Sequence, residues 1–193
     1  MPRPNILPDI PWAEVFASGQ EYNDWRVSGE KPEHQEKMEE FRNRQEIAPE
    51  VQRALQAIAR PVHVLVMAED WCPDVVRHVP VLECLAAESP HVKTAYIRRD
   101  TYPEVTARFH TNGTESVPKF GFFNDAFVWC GVWGPLPEAC NELIRRGRAC
   151  GDLKTARQHV AALYKADRGR DEVIRELLHC IEVAASPPLP EAE

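Results

Sequence analysis

The clearest hydrophobic pattern lies in the middle of the chain. Residues 62–68, VHVLVMA, form a short, almost continuous apolar run rich in Val. That is the texture of a central strand buried on both faces. From Cys72 a helical stripe follows through Val75, Val76, Val79, Leu82, Leu85 and Ala86, with Pro80 inside it as an expected kink. Residues 92–98 read as a second strand, and 102–110 as a helix closed by the turn signal Thr111-Asn112-Gly113. KFGFF (119–123) and AFVWCGV (126–132) flank Asn124-Asp125, which predicts a hairpin with a two-residue loop and with Trp129 and Trp133 as hairpin packing. Residues 136–146 predict a helix ended by Gly147. The order strand–helix–strand–helix–strand–strand–helix predicts an α/β fold, a mixed sheet flanked by helices.

The flanks are helical and more polar. Pro11 suits the first position of a helix whose apolar face is Trp12, Val15 and Phe16. Residues 33–44 are nearly all charged apart from Met38 and Phe41, the pattern of a largely exposed helix. Pro49 opens another, with Val51, Leu55 and Ile58 on one side. Two more helices follow Gly151, capped by Asp152 and by Asp171. The expected organisation is an N-terminal helical extension (1–60), a central domain (61–147), a C-terminal helical extension (148–185) and a loose tail (186–193).

Composition narrows the function classes. The chain has 193 residues, 44% of them hydrophobic, so it can bury a real core. A net charge of -7 argues against nucleic acid or an anionic membrane as the main partner. No stretch approaches the roughly 20 apolar residues of a membrane span. The opening MPRPNILPDIPW is interrupted by four prolines and lacks the apolar core of a secretory leader, so a cytoplasmic location is expected. The six cysteines, at 72, 84, 130, 140, 150 and 180, include no pair two residues apart, and no metal site is expected. Most read as small buried hydrophobes in a reducing compartment.

Cys72 is the exception. It follows a buried strand and starts a helix, where unpaired N–H groups and the helix dipole favour a thiolate. Pro73 fits the first helical position, Trp71 can shield one side, and the Asp74 carboxylate opposes the anion. His78, nearly two turns on, is no obvious base; His110 reads as a helix-end cap. Arg98-Arg99-Asp100 suits either an anion site or an ion pair fixing a strand-to-helix corner. No phosphate loop or serine nucleophile motif occurs.

Residues 61–147 resemble the thioredoxin fold. Trp71-Cys72-Pro73-Asp74-Val75 looks like that family's active-site motif with Val75 in place of the second cysteine. Pro80 matches its kinking proline, Val117-Pro118 its cis-proline segment, and Gly134 the glycine after its last strand. Over about residues 10–147 the chain is similar to bacterial thioredoxin-like proteins with a helical N-terminal region, here with Glu69–Cys72, Arg98-Arg99-Asp100 and Asn112–Phe120. The resemblance implies Cys72 as the nucleophile, with Trp71, Pro73, Val117, Pro118 and Lys119 as substrate contacts, Lys119 attracting a carboxylate. It departs in two ways. The buried Asp that thioredoxin carries six residues before the nucleophile is Val66. The resolving cysteine is Val75, and Cys84 lies roughly 18 Å along the same helix at 1.5 Å per residue, beyond disulfide reach. An ordinary two-cysteine cycle is therefore excluded.

Two readings stand. One is a monothiol thiol–disulfide oxidoreductase without a bound cofactor, acting on a protein disulfide or mixed disulfide and released by an external thiol such as glutathione. The other is a non-enzymatic binding module whose helical extensions carry the partner surface. A homo-oligomer is compatible with either.

Overall fold

A computed structural model describes residues 9–111 and 113–187. Asn112 of the expected turn, the first eight residues and most of the expected tail lie outside the described residues. Nine helices and four strands occur within them: α1 Trp12–Ser18, α2 Tyr22–Val27, α3 Pro32–Arg44, α4 Pro49–Gln56, β1 Val62–Met67, α5 Pro73–Ala87, β2 Val92–Ile97, α6 Pro103–Arg108, β3 Lys119–Phe123, β4 Trp129–Trp133, α7 Glu138–Cys150, α8 Leu153–Ala166 and α9 Asp171–Ala185. The sheet order is β2-β1-β3-β4. β1 is parallel to β2 and antiparallel to β3, and β3 is antiparallel to β4. Outside β2, Gln20 and Tyr96 exchange both backbone hydrogen bonds at 2.9 Å, which ties the N-terminal segment to the sheet edge.

The Val-rich run behaves as its composition requires. Val62, Val64, Leu65 and Val66 are fully buried, because both sheet faces are covered. On one face lie α5 and α9, with α3 packed outside α5. On the other, Trp12 of α1 packs its ring against Phe109, Phe123 and Trp129. Gly121 is required there: a Cβ would stand 2.7 Å from the Phe109 ring.

Several expectations are corrected. The hairpin loop is five residues, 124–128, and β4 begins at Trp129. Asn124 Oδ1 accepts the N–H groups of Ala126 and Val128, and Phe127 takes a positive φ of 56° with its ring stacked on His63. The pairing then passes from Phe122↔Gly131 to Phe123↔Trp129, so Cys130 is an extra residue. That bulge puts Trp129 and Trp133 on opposite faces: Trp129 meets Trp12 and Phe109, and Trp133 stacks on Phe120.

The helix α2 was not foreseen, being six residues with few apolar positions; yet Trp25 is fully buried, stacked on Tyr96 at 4.9 Å. Pro11 precedes the first helix rather than opening it. Arg170, not Asp171, stands at the start of α9, and the Asp167 carboxylate accepts the N–H groups of Asp171 and Glu172. Gly147 does not end α7, which runs on to Cys150 and stops at Gly151, where φ is +77°. Gly147 instead lets α8 approach: a Cβ there would be 2.5 Å from the Ala156 Cβ. The boundary drawn after residue 147 thus falls inside α7. The helix that covers β1, β3 and β4 is α9, while α7 and α8 pair into a helical hairpin inserted between β4 and α9.

Candidate active site around Cys72

β1 ends at Met67, and the next five residues lead to Cys72, the N-cap of α5 with φ −85° and ψ 122°. Pro73 occupies the first helical position, so no backbone donor is lost there. The Cys72 thiol is 8% exposed and donates to the Val117 carbonyl at 3.4 Å. The Val117–Pro118 peptide is cis. Trp71 is 46% exposed beside the thiol, with the Arg99 guanidinium 5.8 Å from its ring.

Burial pushes the Cys72 thiol up from its ordinary range. The backbone N–H groups of Val75 and Asp74 pull it down, the Asp74 charge raises it, and the net direction is upward. This corrects the expectation from helix position alone. The donors are present as expected, but desolvation outweighs them. Val75, in the fourth position of the motif, and Val66, beneath it, are both fully buried and offer no titrating group. All six cysteines are free thiols. His78 is buried in α5 and bonded through Nε2 to the Tyr164 hydroxyl at 3.1 Å, and burial holds its pKa well below the usual imidazole range.

The residues before Cys72 anchor the site. Glu69 Oε1 accepts the Arg99 N–H at 2.8 Å, and its other oxygen is 3.4 Å from Arg98 Nη1. Asp70 is 1% exposed; its Oδ2 accepts the Lys31 N–H at 2.6 Å, and its carbonyl pairs with His34 Nδ1 at 2.6 Å. Glu69-Asp70 and Arg98-Arg99 therefore clamp the strand ends to α2 and α3, which is the corner-fixing role rather than an anion site.

Lys119 is not a surface cation. It is 3% exposed, and its Nζ donates to the Gly134 carbonyl at 2.5 Å and to the Thr111 hydroxyl. The role of attracting a substrate carboxylate is corrected accordingly. Burial lowers its pKa to about 8. Folded Lys119 thus sheds its proton near pH 8, whereas the unfolded side chain keeps it to about 10.4. Over that window the unfolded state binds more protons, so this residue's contribution to stability rises with pH and is lost again as pH falls through 8. The stability of wild type relative to Lys119→Met should climb by about 2–3 kcal/mol between pH 7 and pH 10, read from urea unfolding at each pH. A flat difference would contradict the buried, depressed lysine.

A cleft of about 480 Å³ opens beside Cys72. Trp71, Cys72 and Asp74 form one wall, and the loop from Thr114 to Val117 another. The α7–α8 hairpin supplies a third wall, Asn141, Ile144 and Arg148 from one helix and Leu153, Arg157 and Val160 from the other, and Thr111, Pro135 and Leu136 complete the lining. The six hairpin residues are absent from the expected site. Their spacings, i, i+3, i+7 and i, i+4, i+7, were legible as two helix faces, but nothing local says that those faces turn toward Cys72.

The thioredoxin family profile matches residues 20–157. The chain belongs to the thioredoxin family. The match takes in the N-terminal helices from Gln20 and most of the inserted hairpin as well as the sheet. A protein of unknown function from Pseudomonas aeruginosa is similar to this thioredoxin-family chain with TM-score 0.72 and 22% identity, over 90% of this chain and 98% of its own. An HIV epitope-scaffold is similar with TM-score 0.66 and 20% identity, over 88% of this chain and 96% of its own. At such identities the likeness is one of fold. No curated protein matches. Among the described residues no helix is long and apolar enough to cross a membrane, and no cluster of three or more His, Cys, Asp and Glu is placed to hold a metal ion.

Proposed function

We propose that this thioredoxin-family protein exchanges thiols and disulfides through Cys72 alone. The observation that carries the reading is the setting of its sulfur: at the N-cap of α5, with the N–H groups of Asp74 and Val75 stabilising the anion, beside the Val117 carbonyl at the edge of an open cleft. The Cys72 thiolate attacks one sulfur of a disulfide; a new S–S bond forms and the other sulfur leaves as a thiolate with the bonding electrons. With Val75 in the resolving position, an external low-molecular-weight thiolate attacks the substrate sulfur of that mixed disulfide; a disulfide forms between the two, and Cys72 leaves as a thiolate with the bonding electrons and takes up a proton. Trp71, Pro73, Val117 and Pro118 frame the approach of the substrate.

Burial keeps most of the thiol protonated at neutral pH, so exchange is slow at pH 7 and accelerates with pH. The same burial favours the second reading, a binding module in which Cys72 is a packed thiol. Iodoacetamide labelling of each cysteine against pH, followed by peptide mass spectrometry, separates the two. The exchange reading expects Cys72 labelling to rise with a midpoint above about 8.5. It also expects a glutathione adduct on Cys72 after treatment with oxidised glutathione, abolished in Cys72→Ser. A Cys72 that forms no adduct even at pH 9, in protein that remains folded, leaves the binding module as the function.

A further inference from the structure

The inserted α7–α8 hairpin carries a charge pattern unlike the rest of the chain. Residues 138–166 hold six Lys and Arg against three Asp and Glu, in a protein of net charge -7. Within that hairpin Arg145 is paired with Glu138, and Arg146 with Glu142 at 2.5 Å. Arg148 and Arg157 differ. Both are exposed and line the cleft beside Cys72, and among the described residues neither guanidinium makes an ion pair or hydrogen bond. Two acids share the cleft: Glu115 lies 3.9 Å from Arg99, which also pairs with Asp100 at 2.9 Å, and Asp74, largely buried, makes no ion pair within 4 Å among the described residues and feels the charge of Arg77. The cleft thus has two guanidinium groups with no ion-pair partner among the described residues, on different helices, beside a thiol. Ser116, on the opposite wall, has a buried hydroxyl without a partner.

We infer that Arg148 and Arg157 bind the carboxylates of a small peptide thiol or disulfide and hold its sulfur toward Cys72, so that the inserted hairpin selects the substrate. This rests on the exchange reading for the use made of the bound sulfur, but the anion subsite stands on its own geometry. Two planar guanidinium forks from separate helices suit a ligand with two carboxylates better than a single phosphate. A volume of about 480 Å³ suits a ligand of a few residues rather than a folded partner. The local positive charge also offsets the repulsion that an acidic chain exerts on an anion. The bonds exchanged are those already given; the arginines contribute position and charge and neither gain nor lose electrons.

The test uses two probes on the full chain. S-methylglutathione cannot exchange and reports binding alone, by titration calorimetry or by NMR shifts of α7 and α8. Oxidised glutathione and the neutral bis(2-hydroxyethyl) disulfide report adduct formation at Cys72. In Arg148→Gln/Arg157→Gln, S-methylglutathione affinity should fall about tenfold and the rate with oxidised glutathione by a similar factor. The neutral disulfide should react as with wild type, and Arg148→Lys/Arg157→Lys should recover part of the loss. Binding that is absent in wild type, or unchanged in the glutamine variant, overturns the inference. Failure of both disulfides to modify Cys72, with S-methylglutathione still bound through the arginines, overturns the exchange reading and leaves the anion site standing.

Discussion

Gly134→Ala should destabilise the protein by about 3–4 kcal/mol and loosen the Val117–Lys119 segment beside Cys72. Gly134 has φ +106°, a conformation that side chains rarely adopt, and an added Cβ would lie 2.3 Å from the Pro118 carbonyl oxygen. Its neighbour is backbone, not the tip of a flexible side chain, so relief requires moving Pro118 or β4. Either movement disturbs Val117, whose carbonyl accepts the Cys72 thiol, and Lys119, whose ammonium donates to the Gly134 carbonyl. The variant should therefore show both a lower urea midpoint and faster labelling of Cys72 as its cover opens. Gly113→Ala is the control. That residue also has a positive φ, +73°, but no atom lies within 4 Å of the added Cβ, so the cost should be about 1 kcal/mol with Cys72 labelling unchanged. Equal effects at the two positions would mean that the tight approach at Gly134 does not constrain that segment.

The second large effect is expected at Asp70. Asp70→Ala should cost about 2–4 kcal/mol, and the loss should be felt first in the N-terminal helices. The carboxylate is almost wholly buried, accepts the Lys31 N–H at the start of α3 and lies 3.8 Å from Arg98 Nη1. Gly29 is held so close that a Cβ there would meet the carboxylate oxygen at 2.3 Å. Without the carboxylate, the Lys31 amide loses its acceptor. Arg98 keeps Glu69, the Trp25 carbonyl and Ser28, which limits the damage. Asp70→Asn retains an acceptor oxygen and the volume, and should cost roughly half as much. Hydrogen exchange would check the location: protection should drop across α2 and α3 before it drops in β1. Uniform loss of protection, with both variants alike, would mean that Asp70 acts as general core and not as a clamp.

How much was legible follows element by element. β1, α5 and β2 were readable because each repeats its pattern over six or more residues, and a buried parallel strand has no polar face to confuse the reading. Cys72 was readable as a helix start for the same local reason. α2 was hidden because six residues hold too little periodicity; what fixes it is Trp25 against Tyr96, a contact spanning about seventy residues. The hairpin was misjudged by three residues, since Asn124-Asp125 looks like a complete turn while the observed loop is set by Phe127 packing on His63. Gly147 read as a helix stop because glycine serves both as a stop and as a site of close approach, and only the neighbour, Ala156, distinguishes them.

The residue pattern along the chain was enough for the α/β fold, the order of strands and helices through the hairpin, the position of Cys72 at a helix start and the presence of Val, not Cys, at position 75. Each depends on residues close in sequence or on a motif read whole. Three things waited for the folded chain. Burial, not the helix terminus, sets the direction of the Cys72 thiol's pKa; Lys119 is turned inward and removed from the surface; and α9 covers the sheet, leaving α7 and α8 to bring Arg148 and Arg157 to the cleft. Desolvation and charge proximity depend on which atoms surround a group in space, and neighbours far apart in the chain supply most of them.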